Sequence, residues 1–284
     1  MKTLKHMILI LILICSWNLL PAQEYKRIIS LSPNITGILY DLGAESKIVG
    51  VTDFCRVHDH TIDRVGGTLN PNLEMIISLK PDLIICPDFK NLLARLSNLN
   101  IEILNVKNET IDEVLESIKI IGEKLEKEKL SENMVAEFKN KIFYYSKLTE
   151  NAERIRVLFV VSKDITGLKN IYAAGKNTFL NEIIRICGGT NIIKERTIRY
   201  PKISLEDLID LDPQIIFDTS LGVNLPEEQI ITNSKSWERL NNIAAVREGK
   251  VIYLNDHTIT IPGTNIIESI KKLGKYIHPE IFNE

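Results

Sequence analysis

Hydrophobic residues recur at helical spacing along one long segment, residues 110–152. In its first half, apolar residues three and four positions apart define one face, and charged residues fill the other. The segment contains no proline and one glycine, Gly122. This pattern predicts one long helix. Its apolar face begins with Ile111, Val114, Leu115, Ile118, Ile121 and Leu125.

Short Ile/Leu/Val-rich runs alternate with helical patterns on both sides of this segment. Strands that alternate with helices at such spacing form parallel sheets with crossover helices, so each block predicts an α/β lobe. A single large α/β domain with one long surface helix is the alternative interpretation. The predicted strands are 27–31, 48–51, 83–86 and 101–106 before the long helix, and 156–161, 214–217 and 250–254 after it.

An internal repeat favours two lobes. Residues 72–85 and 204–217 place a capping residue, a leucine, a glutamate, a proline and an apolar strand in the same register. Part of this match is expected of any helix that is followed by a strand, because capping residues and prolines are common at helix ends. The full match favours two homologous lobes joined by the long helix. Ligands of open parallel sheets bind beyond the carboxyl ends of the strands, which predicts a ligand cleft between the lobes.

The loops at those strand ends supply the candidate ligand-binding residues. Aromatic side chains there offer flat apolar surface to a ligand, and arginines can pair with carboxylates or phosphates. Ordinary solvated loop residues are the alternative, especially for Arg56. The candidates are Phe54, Arg56, Leu69, Phe89, Tyr172, Arg199, Tyr200 and His257.

Metal binding and catalysis receive little support from the motifs. His58, His60 and His257 could face one another across a cleft, but carboxylates to complete a metal site are not obviously placed, so loop histidines are favoured. Asp256 and His257 resemble a base with its orienting carboxylate, yet adjacent residues seldom face each other. No GxSxG, P-loop or GxGxxG motif is present. The sequence therefore predicts no catalytic residues and no metal site.

Composition and the amino terminus indicate where the protein works. The 284 residues are 44% hydrophobic with a net charge of −2, which is enough for two ordinary cores and gives no basic surface for nucleic acid. Lys2 and Lys5 precede an apolar run over 7–15, and Ala22 offers a cleavage point, as in a secretory signal peptide. Lipidation at Cys15 is the alternative, although Ile14 is bulky for a lipobox. Either interpretation places the mature protein outside the cytoplasm.

Three cysteines remain after such cleavage. In an oxidising compartment Cys55 and Cys86 could form a disulfide, although an odd count specifies no framework. Cys187 lies in an apolar helical stretch, which predicts a buried core residue.

Several segments resemble one family, the substrate-binding proteins of ABC importers for vitamin B12, haem and iron-siderophores. The similarity covers essentially the whole mature chain and is closest to the B12-binding branch around 72–83 and 188–191. The segments are RIISLSPN at 27–34, VGVTD at 49–53, GG at 66–67, NLE at 72–74, LKPDL at 79–83, AGK at 174–176, CGGTN at 187–191 and IHPE at 277–280.

The resemblance implies a monomeric receptor of two Rossmann-like lobes that move little on binding. It implies delivery of a corrinoid or related metal chelate to an ABC permease dimer with its ATPase, and no cofactor of the protein's own. The alternatives are a receptor for a ferric siderophore or haem, a sensor, and an enzyme such as a hydrolase or chelatase. The resemblance also implies that Glu74 and Glu206 dock onto arginine pockets of the permease. A tryptophan expected in the cleft of the B12 branch is missing after Gly67.

The predicted organisation has four parts. A signal peptide occupies residues 1–22, an N-terminal α/β lobe 23–109, a connecting helix 110–152, and a C-terminal α/β lobe 153–284.

Overall fold

The computed structural model describes residues 24–57, 59–164, 167–194, 197–220, 235–255 and 257–283, without the side chain of His257. The predicted signal peptide lies outside this range, as do His58 and Asp256. Within the described part, no helix combines the length and apolar character needed to cross a membrane.

The first lobe is built on a parallel sheet of five strands in the order β3-β2-β1-β4-β5. Its helices follow the predicted pattern, and Asn72 caps α2 by accepting a hydrogen bond from the Met75 amide. The elements are β1 Ile28–Ser30, α1 Pro33–Asp41, β2 Ile48–Val51, β3 Asp63–Arg64, α2 Leu73–Ser78, β4 Leu83–Pro87, α3 Lys90–Leu96 and β5 Glu102–Val106, with short 3-10 turns at Glu45–Lys47 and Ser97–Leu99.

The second lobe has a mixed sheet of six strands in the order β11-β10-β6-β7-β9, with β8 paired beside β6. The elements are β6 Ile155–Ser162, β7 Ile171–Ala173, α6 Phe179–Ile186, β8 Gly189–Asn191, β9 Lys202–Ile203, α7 Leu205–Leu211, β10 Ile215–Asp218, α8 Ala244–Arg247, β11 Val251–Tyr253 and α9 Ile266–Ile277, with 3-10 turns at Glu238–Leu240 and His257–Thr260; α4 and α5 belong to the connecting segment.

The prediction of a wholly parallel second sheet is wrong, because β7 runs antiparallel to both β6 and β9. Eight residues separate Ser162 from Ile171, which is too few for the helical crossover that a parallel neighbour needs. The chain therefore turns back directly after β6.

The two sheets share one strand order despite this difference. Strands β1, β2, β3, β4 and β5 of the first lobe correspond to β6, β7, β9, β10 and β11 of the second. The repeated segments at 72–85 and 204–217 occupy equivalent places, each supplying a helix and the strand that follows it. The internal repeat in the sequence therefore corresponds to helices and strands that occupy the same places in the two lobes.

The connecting segment is not one continuous helix. It consists of α4, Ile111–Lys124, and α5, Glu128–Leu148, and Glu126 between them has a left-handed backbone with φ of 57°. A Cβ at Gly122 would overlap Ser131 Oγ, so this glycine lets the two helices cross closely at the bend. Helix α4 packs on the first lobe and α5 on the second. The predicted boundaries at 22, 109 and 152 stay predictions.

One buried apolar cluster runs through both lobes and the connecting helices. It joins Ile28 and Ile38 of the first lobe to Ile118 and Val135, and these to Phe159 of the second. The lobes therefore share a core at the base of the cleft.

The proposed disulfide is absent, since all three described cysteines are buried and free. Cys55 Sγ lies 3.1 Å from the hydroxyls of Thr36 and Thr52. Cys86 belongs to a separate buried cluster. Cys187 is fully buried in the core, as predicted.

Candidate functional site

A cavity of about 270 Å³ lies between the lobes, beside helix α1; we call it the α1 cavity. Helix α1 follows the carboxyl end of β1, where the ligand of an open sheet is expected. Loop residues after β2 and the segment before α9 complete the wall. The lining residues are Pro33, Asn34, Thr36, Gly37, Tyr40, Asp41, Phe54, Arg56, Thr258, Ile261, Gly263, Thr264 and Asn265.

A second cavity, of about 420 Å³, lies at the carboxyl ends of β6 and β10; we call it the β10 cavity. Tyr200 is its one aromatic lining residue. Burial raises the pKa of Tyr200 to about 12, so its phenol stays protonated throughout the physiological range. The lining residues are Val161, Ser162, Leu180, Tyr200, Thr219, Ser220 and Thr260.

Arg199 is engaged in an ion pair across the base of the cleft. Its Nε lies 3.7 Å from Glu109 Oε2, and Glu109 immediately precedes the connecting segment. Burial raises the pKa of Glu109, and the neighbouring guanidinium opposes that shift. The backbone of Arg199 is held as well, because its carbonyl accepts a 2.7 Å hydrogen bond from the Gly175 amide.

Two further hydrogen bonds tie the connecting segment to the second lobe. The Ile111 amide donates to Glu182 Oε2 at 2.6 Å, and the Phe179 amide donates to the Glu109 carbonyl at 2.7 Å. At the start of α4 and of α6, a backbone N–H group therefore donates to an acceptor at the start of the other helix. Such N–H groups have no partner within their own helix. These contacts fix one side of the cleft's base.

The predicted ligand residues are only partly brought together. Phe54 and Arg56 line the α1 cavity, and Tyr200 lines the β10 cavity. Three others lie apart from both: Leu69 is exposed, Phe89 packs partly into the first lobe, and Tyr172 is 40% exposed on β7. The assignment of these residues to a ligand stays a prediction.

A buried polar network at the carboxyl ends of β6 and β10 was not predicted from the sequence. Lys163 Nζ lies 3.7 Å from Asp218 Oδ2, and both side chains are inaccessible to solvent. Trp237 Nε1 donates to the same carboxylate oxygen at 2.8 Å. Burial lowers the pKa of Lys163, while Asp218 opposes that shift. The apolar periodicity could not predict this network, because Lys163 directly follows a strand, where an exposed loop lysine is expected.

The described residues contain no cluster that would support a metal site at the histidines. No group of three or more His, Cys, Asp or Glu side chains there could hold an ion. His60 is exposed, whereas His58 and the side chain of His257 lie outside the described residues.

Glu74 and Glu206 occupy matching positions in the two lobes. Each is exposed in the first turn of its helix, α2 or α7. Ser204 caps α7 by accepting from the Asp207 amide, as Asn72 caps α2. Both helices follow edge strands, β3 and β9, at the carboxyl ends that face the cleft. The two carboxylates therefore sit at the cleft side of their lobes.

Comparisons with known proteins agree with this architecture. An uncharacterised ABC transporter substrate-binding lipoprotein of Bacillus subtilis is 30% identical, covering 92% of this chain and 83% of its own. The vitamin B12-binding protein of Vibrio cholerae (strain O395) is 26% identical, covering 89% of each chain. The crystal structure of the periplasmic vitamin B12-binding protein of Vibrio cholerae superimposes with a TM-score of 0.74 at 24% identity, covering 92% of this chain and 98% of its own.

These likenesses extend over both lobes and the segment between them. A family model described as periplasmic binding protein matches residues 28–258, from β1 to the last 3-10 turn before α9. The chain belongs to the periplasmic binding protein family.

Proposed function

We propose that this protein captures a corrinoid or related metal chelate outside the cytoplasm and delivers it to an ABC permease. The observation that carries the proposal is the α1 cavity, whose walls come from both lobes, together with the β10 cavity at the strand ends of the second lobe. Aromatic and apolar side chains alternate there with hydroxyls and amides. Such walls suit a large ligand whose apolar faces carry polar side groups.

The identity of the ligand is supported by the relatives that bind vitamin B12. The aromatic surface comes from Phe54, which is 70% exposed, and from Tyr40 and Tyr200, without a tryptophan. Trp237, the one tryptophan beyond the predicted signal peptide, is buried in the second lobe and hydrogen-bonded to Asp218. A corrinoid would therefore pack against a phenyl ring and phenols.

A ferric siderophore or haem is the second candidate, and Arg56 favours it. This exposed guanidinium lies on the rim of the α1 cavity, where it can form paired hydrogen bonds with a carboxylate. Haem and many siderophores carry carboxylates, whereas a corrinoid presents mainly amides.

Delivery to the permease is assigned to Glu74 and Glu206. Each carboxylate has exposed apolar neighbours on the same short helix, Met75 and Ile77 on α2, and Leu205 and Ile209 on α7. A charged centre with an apolar surround is typical of a protein–protein contact. One such surface on each lobe matches a partner with two equivalent subunits.

Secretion through a cleaved signal peptide over residues 1–22 remains part of the proposal, with lipidation at Cys15 as the alternative. A receptor role without catalysis also belongs to it. Mass spectrometry of the mature protein from cells would separate the two amino termini, because cleavage after Ala22 leaves Gln23 first, whereas lipidation leaves a diacylated Cys15.

Native mass spectrometry tests the ligand. Purified protein is mixed with cyanocobalamin, cobinamide, haemin and a ferric siderophore, and the mass of each complex is recorded. Binding of the cobalt compounds with intact ligand mass supports the proposal. Binding of haemin or the siderophore alone favours the second candidate. A ligand returned chemically changed would contradict the receptor role.

A further inference from the structure

One donor in the α1 cavity lacks a hydrogen-bond partner. Asn34 is 3% exposed, and its Nδ2 has no hydrogen-bond partner among the described residues. It is the only buried side-chain nitrogen or oxygen of the described residues in this condition. Buried polar groups are nearly always paired, and an unpaired donor costs folding free energy. The position is therefore one where a ligand atom would restore a missing interaction.

The orientation of the Asn34 amide is fixed by Ser32. The Ser32 hydroxyl donates a 2.5 Å hydrogen bond to Asn34 Oδ1. Ser32 stands at the N-cap of α1, yet its side chain does not cap the helix. The hydroxyl that a serine normally offers to the first turn instead holds the amide oxygen, which leaves Nδ2 as the free side of the group.

The first turn of α1 adds to this donor. The nine-residue helix has no acidic residue in its first turn, and Pro33 occupies one of the first two helical positions. Backbone N–H groups at a helix start lack intrahelical partners and carry partial positive charge, so they attract acceptors. Asp41, the carboxylate of the cavity wall, lies seven residues further on, about 10 Å along the helix.

The opposite wall comes from the second lobe. The backbone of Gly263 approaches Asn34 so closely that an added Cβ would lie 3.5 Å from Asn34 Cβ. Thr264 and Asn265 follow in the same wall. The unpaired donor therefore lies where the two lobes meet, and a ligand atom there would contact both.

We propose that this end of the α1 cavity is a subsite for a side-chain oxygen of the ligand, from a carboxamide or a carboxylate, and that Asn34 recognises it. The inference rests on the proposed function, since it specifies how the same cleft selects its chelate. An Asn34 amide and a helix start both present donors, so the subsite selects acceptors and rejects ammonium groups. Arg56 on the rim adds a further donor for the same class of group.

The test compares Asn34→Asp and Asn34→Ala with the wild type, using calorimetry with cobinamide, which carries carboxamides, and haemin, which carries carboxylates. Asn34→Asp keeps the shape and the Ser32 hydrogen bond but replaces the donor by an acceptor. We expect Asn34→Ala to weaken binding about tenfold and Asn34→Asp more, with the larger loss for haemin if a carboxylate is bound. Equal affinities for wild type and both variants would overturn the inference.

Thermal unfolding of the ligand-free proteins separates recognition from structure. Because Nδ2 has no partner to lose, Asn34→Ala should lower the unfolding temperature by only about 2–4 °C, which is the effect of losing the Ser32 hydrogen bond. A marked decrease would contradict the inference and assign Asn34 a structural role. Asn181→Asp is the control, because Asn181 is also buried but donates to the Lys176 carbonyl at 2.8 Å. That variant should unfold earlier with unchanged affinity. If the wild type binds neither compound, the proposed function fails and the inference with it.

Discussion

Tyr172 and Tyr200 look equivalent in the sequence, but the structure gives them different surroundings. Tyr172 lies on β7 between Ser162 and Lys202, outside both cavities. Tyr200 is largely buried and forms part of the β10 cavity. A ring that is held in place stacks on a ligand at lower entropic cost than a ring free in solvent. Tyr200 is therefore the stronger candidate for the aromatic surface.

We expect Tyr200→Ala to weaken ligand binding by about 1–3 kcal/mol, because the ligand loses an aromatic packing partner. Tyr172→Ala serves as the matched control and should change affinity much less. Titration calorimetry measures both. Tyr200→Phe should retain most of the affinity, since the ring rather than the phenol provides the contact. Equal losses from the two alanine variants would place the ligand differently.

Residues with a role set by loop position were predictable, whereas residues with a role set by tertiary neighbours were not. Phe54 and Arg56 follow the predicted strand at 48–51, so the parallel-sheet rule alone predicted loop positions of the kind that line the α1 cavity. The sequence shows Asn34 only as part of a helix start. No neighbouring residue indicates that its side-chain amide nitrogen is unpaired. The buried pair of Lys163 and Asp218 joins two strands far apart in sequence.

The elements were predicted where an apolar pattern ran for four or more residues. The strands β7, β8 and β9 have two or three residues each, too few for alternation to be visible. The break between α4 and α5 was missed because its left-handed residue is Glu126, where neither glycine nor proline marks a turn. The close crossing at Gly122 and Ser131 depends on tertiary packing.

The contact between α4 and α6 leads to a prediction about pH. Burial raises the pKa of Glu182, and its hydrogen bond from the Ile111 amide opposes that shift. A raised folded-state pKa means that the folded protein binds more protons than the unfolded chain. This contribution to stability is present in full below the unfolded pKa, near 4.5, and is lost as pH rises through the folded value.

We expect Glu182→Gln, which keeps an acceptor for the Ile111 amide, to reduce the pH dependence of the unfolding free energy above about pH 4.5. Glu182→Ala should cost about 1–2 kcal/mol, because it leaves that amide without its cap. Urea unfolding at several pH values measures both effects. Glu132→Gln, at an exposed site on α5, is the control and should leave the profile unchanged. An unaltered profile for Glu182→Gln would contradict the linkage.

At the scale of the whole molecule, the connecting segment bends between α4 and α5. Bending of a continuous helix cannot be the source of rigidity, because the helix is interrupted at Glu126. The shared core and the paired first turns of α4 and α6 hold the lobes instead. Small lobe movements, which the family resemblance implies, would then follow from packing across the base of the cleft.

The matched surfaces on the two lobes carry the last prediction. Glu74 and Glu206 are exposed at the cleft side of lobes with the same topology, and each stands beside exposed apolar side chains. Their first-turn position alone would give only a favourable interaction with the helix dipole, about 0.3–1 kcal/mol each. That effect does not account for the exposed apolar neighbours, whereas a docking surface for two permease subunits does.

We therefore expect the double variant Glu74→Arg/Glu206→Arg to abolish ligand uptake by cells, because like charges would face each other at the permease. Ligand affinity and thermal stability of the isolated variant should stay within twofold and a few degrees of wild type. Glu116→Arg/Glu132→Arg makes the same change in net charge at exposed sites on the connecting helices and should leave uptake normal. Uptake is measured with a radiolabelled cobalamin in cells that lack the native receptor. Normal uptake by the Glu74/Glu206 variant would refute docking through these carboxylates, and loss of ligand binding would mean that they belong to the cleft itself.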